Sequence, residues 1–403
     1  MNIAWLTPEV PYPPIGGRNG VYNRIVQLSK KNNIYLFSIA YNVEEKNHTS
    51  EMEKYCKEVH FYNRSERKLI TIIKSLFMPY SVASRYRKDL IGDIRSLINR
   101  QKIDVVIVDF PNMAKNIIAI KKANPSLLIT MNEHNVEYMR MRKMKYARNI
   151  SSAKRLAYFL ESYRLEYYER KIYKSNIIKG ITFFSEDDHK FFVKNVETGD
   201  TKLKTIPLGA NNYNQEPILL NNKTLLFVGR LDHIAIPNVE AITWFVEEIW
   251  PKILKSIPDA RFIIAGANPE ESILNLQNEN IRVISNFPSL KEVYGMADTV
   301  ILPLLSGGGV KGKLLEAIAF RKHVITTEHG IEGTDFEHGI HVCLCSDADK
   351  FAQACIDALI NPEKYKDQTE KAYHLFVEKY DWNSIGKEYD EFIKKMLDEE
   401  LKI

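Results

Sequence analysis

The stretch SGGGVKGKLLEAIAF, residues 306–320, decides how the chain folds and what it is built to hold. Gly307, four further residues, Gly312 and Lys313 satisfy the spacing of a nucleotide-binding P-loop, and the apolar run TVILPLL (299–305) comes just before them. The next residue breaks the motif. Leu314 stands where Mg²⁺ coordination needs the hydroxyl of a Ser or Thr. What remains is a loop of Gly307, Gly308, Gly309 and Val310 after a strand, followed by a helix that begins near Lys311 and runs through KLLEAIA. The free N–H groups and the dipole of such a helix end attract phosphate. Lys311 and Lys313 add positive charge, and Glu316, about one turn further on, is placed to accept hydrogen bonds from a ribose diol.

Working outward, short Val/Ile/Leu runs alternate with amphipathic stretches along most of the chain. NIAWLT (2–7), NIYLFSIA (33–40), EVHFYN (58–63), DVVIVDF (104–110), LLITMNEH (127–134), IIKGITFFS (177–185) and LKTIPLG (203–209) form one series of expected strands. TLLFVG (224–229), ARFIIAG (260–266), IRVISNF (281–287), TVILPLL, HVITT (323–327) and HVCLC (341–345) form a second. Continuous apolar strands separated by helices predict parallel sheets covered on both faces, the pattern of doubly wound α/β domains. Between the series, GANNYNQEPILLNNK (209–223) carries five Asn, no periodicity, and reads as a linker. The expected organisation is a first domain over 1–208, the linker over 209–223 and a second domain over 224–383. The amphipathic helix of 384–403, with Ile385, Tyr389, Phe392 and Met396 in register, is expected to cross back over the first domain. A long helix over 151–175 carries Leu156, Phe159, Leu160, Tyr163 and Tyr167 on one stripe, read as a packing face.

The chain has 403 residues, enough for two cores, with 45% hydrophobic and 27% charged residues. No apolar run approaches the ~20 residues of a membrane span. MNIAWLTPEV has neither a basic n-region nor an apolar h-region, so a cytoplasmic location is expected. Four cysteines without ligand spacing read as core thiols, and no metal site is expected. The net charge of +5 favours anionic ligands or an acidic membrane surface; no RNA-binding motif of interleaved aromatic and basic residues is present, and no nucleic-acid partner is expected.

Ligands of doubly wound domains bind at the carboxyl ends of strands, so residues just after strands are the candidates. Gly16 and Gly17 lie in a Pro-rich loop after the first strand, where the backbone can approach a phosphate or sugar closely. His134 sits at the tip of LLITMNEH, a candidate hydrogen-bond donor to substrate; no second His or Cys follows at zinc spacing. Gly229 and Arg230 follow TLLFV directly, where a guanidinium can hold a diphosphate bidentately. Asn238 reads as the cap of the next helix, and Trp244, Phe245, Ile249 and Trp250 as its core face.

FVGRLD, ARFIIAG, ADTVILPLLSGGGVKGKLLEAIAFRKHVITTEHGIEG and ACIDALINPEKY, in this order, resemble the retaining glycosyltransferases of GT-B fold in the large family-4 (group 1) set. PYPPIGGRNG and NEHNVE fit more loosely. The resemblance implies a nucleotide-sugar donor in the second domain, an acceptor on the first, a cleft between them and no metal or cofactor. It gives Glu316 the ribose, Arg230 and Lys313 the charge developing on the leaving diphosphate, and His134 the donor sugar. In the common pattern seven residues separate two Glu; Glu316 fills the second place, but the first, eight positions earlier, is Gly308. A subset with a glycine-rich, basic loop is similar to the sequence here. The expected reaction is transfer from a UDP- or GDP-sugar to a glycan or lipid-linked acceptor in surface polysaccharide or glycoconjugate synthesis. A sugar-nucleotide epimerase of the same fold and a non-catalytic partner subunit are the alternatives. Two basic, apolar segments, NRSERKLITIIKSLFMPYSVASRYRK (63–88) and RMRKMKYARN (140–149), add the expectation of peripheral contact with an anionic cytoplasmic leaflet.

Overall fold

Each apolar run becomes a strand of one of two all-parallel sheets in the computed structural model. It describes every residue except 15–16, 65–67, 135, 145–150, 217, 233–234, 286, 307–308 and 401–403, and no side chain at 68–70, 140, 143–144 or 153–154. The first sheet comprises β1 (Asn2–Thr7), β2 (Asn33–Ala40), β3 (Glu58–Asn63), β4 (Val105–Asp109), β5 (Leu128–Glu133), β6 (Gly180–Phe183) and β7 (Lys202–Thr205), in the order β3-β2-β1-β4-β5-β6-β7. The second comprises β8 (Thr224–Val228), β9 (Arg261–Gly266), β10 (Ile281–Ser285), β11 (Thr299–Leu302), β12 (His323–Thr326) and β13 (Cys343–Leu344), in the order β10-β9-β8-β11-β12-β13. Val105, Val106, Ile107 and Val108 are wholly buried, as are Leu225, Leu226 and Phe227, because helices cover both faces. In each sheet the strand order reverses once, between β1 and β4 and between β8 and β11, and such switch points open a crevice at the strands' carboxyl ends.

The chain divides into one compact unit of Met1–Pro207 with Ile385–Ile403 and another of Leu208–Ser384. The last helix, Trp382–Glu400, returns to the first unit from Ile385 onward. Its Ile385, Tyr389 and Ile393 are wholly buried there, and the Tyr389 hydroxyl donates to Asn132 Oδ1 at 2.6 Å. Gly180 makes room for it: a Cβ at that position would stand 3.1 Å from the Phe392 ring. The Asn-rich 209–223 segment is fixed on the second unit, since the N–H groups of Leu220 and Asn221 both donate to the Asp298 carboxylate at 2.7 Å and Ala210 bridges to Asp381.

The stripe on the long helix, Ser152–Lys174, corrects the sequence reading. Leu156, Leu160, Tyr163 and Tyr167 are not packed but 58, 54, 51 and 72% exposed. The buried face is instead Ser162, Leu165, Glu169, Ile172 and Tyr173. Two of those five are polar, so hydrophobic periodicity marked the wrong side.

Candidate functional site

At the switch point of the second sheet, two loops meet. Gly229 and Arg230 follow β8, and Gly309, Val310 and Lys311 follow β11 and lead into the helix Gly312–Ala319. Gly309 has φ +74°, a left-handed conformation that suits glycine. Gly307 and Gly308 lie outside the described residues. Lys311 takes the N-cap position in extended backbone, leaving the N–H groups of Gly312 and Lys313 without intrahelical acceptors. The Walker-position residue Leu314 is wholly buried in the core and turned to no ligand.

Lys313 reaches back from the helix to the β8 loop. Its Nζ donates to Asn238 Oδ1 and stands 4.9 Å from the Phe227 ring centre, while Asn238 Nδ2 donates to the Arg230 carbonyl at 2.7 Å. Asn238 is therefore no cap: Ala235 holds that position of the helix Ile236–Trp244, and Asn238 is a strut between Lys313 and the Gly229–Arg230 turn. Gly229 keeps this contact open, since a Cβ there would come within 3.1 Å of Asn238 Nδ2 and 3.3 Å of Lys313 Nζ and press both side chains back by a few tenths of an ångström. Gly266, at the end of β9, is required: its Cβ would collide with the Gly229 carbonyl at 1.8 Å.

Lys313 and Glu316 share a helix face three residues apart, both half-buried. Burial lowers Lys313 to about 8, the charge of Glu316 opposing the shift. Burial raises Glu316 to about 7, with the Tyr294 hydroxyl, 3.5 Å from Oε2, and Lys313 opposing it. Tyr294 and Tyr213 both stack on Phe320, at 4.6 and 4.1 Å between ring centres, so the carboxylate sits beside an aromatic shelf. Lys311 is tied down by the Gly309 carbonyl and by Glu332 at 3.4 Å. Arg230 is half-exposed and paired with Asp232 at 2.6 Å, so its guanidinium is engaged by a carboxylate rather than presented as a free fork. The result is a basic cradle of free amide N–H groups, one half-buried ammonium and a carboxylate behind it.

The other candidates lie in the first unit. Gly17 opens the helix Gly17–Ser29, exposed and uncrowded; Gly16 is outside the described residues. His134 is buried to 6% exposure, its Nε2 3.1 Å from Asp109 Oδ1. Its ring is stacked on Phe110 at 4.0 Å and tilted against Phe184 at 4.2 Å. Asp109, at the tip of β4, also accepts from Trp5 Nε1 at 2.5 Å and from Asn132 Nδ2 at 2.8 Å. Phe110 carries φ +65°, an uncommon conformation for a bulky residue and one that turns its ring onto the imidazole. Sequence reasoning missed Asp109, because a carboxylate ending an apolar strand has no motif of its own. Among the described residues no group of three or more His, Cys, Asp or Glu is placed to hold a metal.

Comparison with known proteins gives this geometry a context. Residues 222–361 match the family model of the glycosyl transferases group 1. An uncharacterized 44.6 kDa protein in the cps region of Klebsiella pneumoniae is 26% identical, over 96% of this chain and 99% of its own. Among solved structures, a glycosyltransferase from Rickettsia africae superposes with a TM-score of 0.64 at 16% identity, covering 98% of both chains. Anabaena HepE in complex with UDP superposes with a TM-score of 0.63 at 13% identity, covering 98% of this chain and 100% of that one. The fold is thus GT-B, and with a group 1 glycosyltransferase domain over residues 222–361 the protein is a glycosyltransferase.

Proposed function

We propose that the protein moves a sugar, with retention of anomeric configuration, from a UDP- or GDP-sugar to a glycan or lipid-linked acceptor in bacterial-type surface polysaccharide or glycoconjugate synthesis. The observation that carries this is the basic cradle at the β8/β11 switch point, where Lys313, Asn238 and Gly229 interlock around a free helix N-terminus. It suits a diphosphate, and Glu316 one turn further along suits a ribose. HepE, of the same fold, is bound to UDP, and the Klebsiella relative comes from a cps region; both support the reading. In the proposed step the bond from the sugar C1 to the diphosphate oxygen breaks while the acceptor oxygen bonds C1 from the same face. The acceptor proton passes to a leaving phosphate oxygen. Lys313, Arg230 and the Gly312–Lys313 amides neutralise the charge that grows on the diphosphate. His134, held by Asp109, is proposed to bind the donor sugar. The reaction is proposed to take place on the cytoplasmic side, with peripheral contact to an anionic leaflet; among the described residues no helix is long and apolar enough to cross a membrane.

The test is a thermal-shift screen of nucleotide sugars, followed by transfer assays on the donors that bind. Interconversion of free sugar nucleotides without acceptor would assign an epimerase instead. Glu316→Ala is expected to weaken nucleotide-sugar binding roughly ten- to hundredfold, since it removes a charge-assisted hydrogen bond of ~1.5–3 kcal/mol. Unchanged affinity for UDP, GDP and their sugars in calorimetry would remove the ribose from Glu316. Basic groups standing in for a metal make transfer resistant to EDTA. Activity lost in chelator and restored by Mn²⁺ would overturn the basic-cradle mechanism.

A further inference from the structure

The exposed stripe on the 152–174 helix runs into a concavity. A groove of about 680 Å³ opens in the first unit between that helix, the 76–79 loop and the helix Ala114–Ala123. Its walls are largely carbon: Leu76, Phe77, Ile118, Tyr163, Tyr167 and Ile177. Phe77 is 84% exposed and Leu76 72%, and Leu160 and Leu156 continue the apolar track along the helix. Ile72 and Ile73, on the helix Lys68–Ser75 just before Leu76 in the chain, are also exposed. A contiguous apolar surface of this kind marks a binding site rather than chance exposure.

The groove is built rather than accidental. Arg164 donates to the carbonyls of Ser75 and Met78, and so pins the loop that carries Phe77 against the long helix. Lys115 and Lys171 also line the groove, and neither makes an ion pair among the described residues. A concave apolar trough of this volume falls within the ~300–1,000 Å³ of small-ligand pockets. It suits a single chain better than a flat leaflet, and free ammonium groups beside it suit an anionic head. Tyr163 and Tyr167 line the groove while 51 and 72% exposed, and tyrosine is a residue type that suits lipid–water boundaries.

We propose that this groove takes the hydrocarbon chain of a lipid phosphate, with the phosphate on Lys115 and Lys171, and that the acceptor is therefore lipid-linked. The inference rests on the transferase reading for the word acceptor, but chain binding itself does not depend on it. The experiment uses the full-length protein and a farnesyl phosphate bearing a diazirine, with the matching farnesyl alcohol as control. Photolabelling is expected on 76–79 and 163–177, and Phe77→Asp with Tyr167→Asp should cut it at least tenfold. Both side chains are exposed, so the fold should survive, and unchanged UDP thermal shifts in the variant check this. Lys115→Ala with Lys171→Ala should weaken the phosphate probe severalfold and leave the alcohol unaffected. Labelling spread elsewhere, or indifferent to the aspartates, would overturn the groove. So would protein sedimenting with anionic vesicles while the groove stays unlabelled, which would make the face a leaflet contact. A dimer in solution broken by Phe77→Asp would give the face to a second copy of the chain. UDP and GDP both failing to bind a protein whose groove is labelled would remove the donor reading and leave the groove standing.

Discussion

Replacing Lys313 with alanine is expected to slow sugar transfer about 10²–10³-fold, the effect of deleting one preorganised group that meets developing charge. The ammonium is worth this much because it is half-buried, held by Asn238 and already oriented before the donor arrives. The same burial makes it titrate within reach of ordinary buffers. Lys313 is lowered to about 8 and Glu316 raised to about 7, so the charged pair exists mainly between those values in the free protein. Above about 8 the ammonium loses its proton and its hold on a diphosphate weakens. Below about 7 the carboxylate gains one and its bond to a ribose weakens. Nucleotide-sugar affinity, measured by calorimetry from pH 6 to 9.5, should therefore fall on both sides. Lys313→Arg keeps its charge throughout and should lose the alkaline limb while keeping the acid one. An alkaline limb that persists in Lys313→Arg would show that another group sets it.

The fold was open to sequence reasoning because buried parallel strands leave an unmistakable trace. Thirteen apolar runs are thirteen strands in two all-parallel sheets, but the runs themselves do not record the strand order. The cradle was half open. Gly309, Lys311, Lys313 and Glu316 stand together in sequence, so one helix end displays them. Asn238 stood apart and was given the role its residue type most often plays near a helix start. The contact that defines it runs from residue 313 to residue 238, across two loops, and no local pattern records such a pair. Gly266 escaped for the same reason, since its constraint is the backbone of Gly229 on the neighbouring strand. The long-helix stripe failed differently. Leu156, Leu160, Tyr163 and Tyr167 have the right period but face outward, while the buried side carries Ser162 and Glu169. Periodicity finds a hydrophobic face; it does not say what covers it.

Glu169 leads to the other large effect. It is 1% exposed, and neither of its side-chain oxygens makes a full hydrogen bond, the backbone N–H of Tyr138 lying close enough only to oppose its rise. Glu133, wholly buried at the tip of β5, accepts from the Tyr173 hydroxyl at 2.5 Å through one oxygen and leaves the other unpartnered. Burial raises both carboxyls well above the usual range; the charge of Glu133 adds to the rise of Glu169, and that of Glu137 adds to both. The sign of the consequence is fixed by linkage. A carboxyl whose folded pKa exceeds its unfolded one binds more protons in the native state, so stability falls as pH rises from about 4.5 towards the folded value. Glu169→Met, of similar length and apolar, removes a buried carboxyl whose charge meets those of Glu133 and Glu137. The variant is expected to gain about 2 kcal/mol at pH 8, with the gain shrinking towards pH 4.5, where the carboxyl is protonated in the folded state and about half protonated in the unfolded one. Calorimetric unfolding across that range reads this directly in the transition of the first unit. A gain that is the same at pH 4.5 and pH 8 would assign the effect to packing rather than to charge, and a loss at both would mean that Glu169 has a partner its burial conceals.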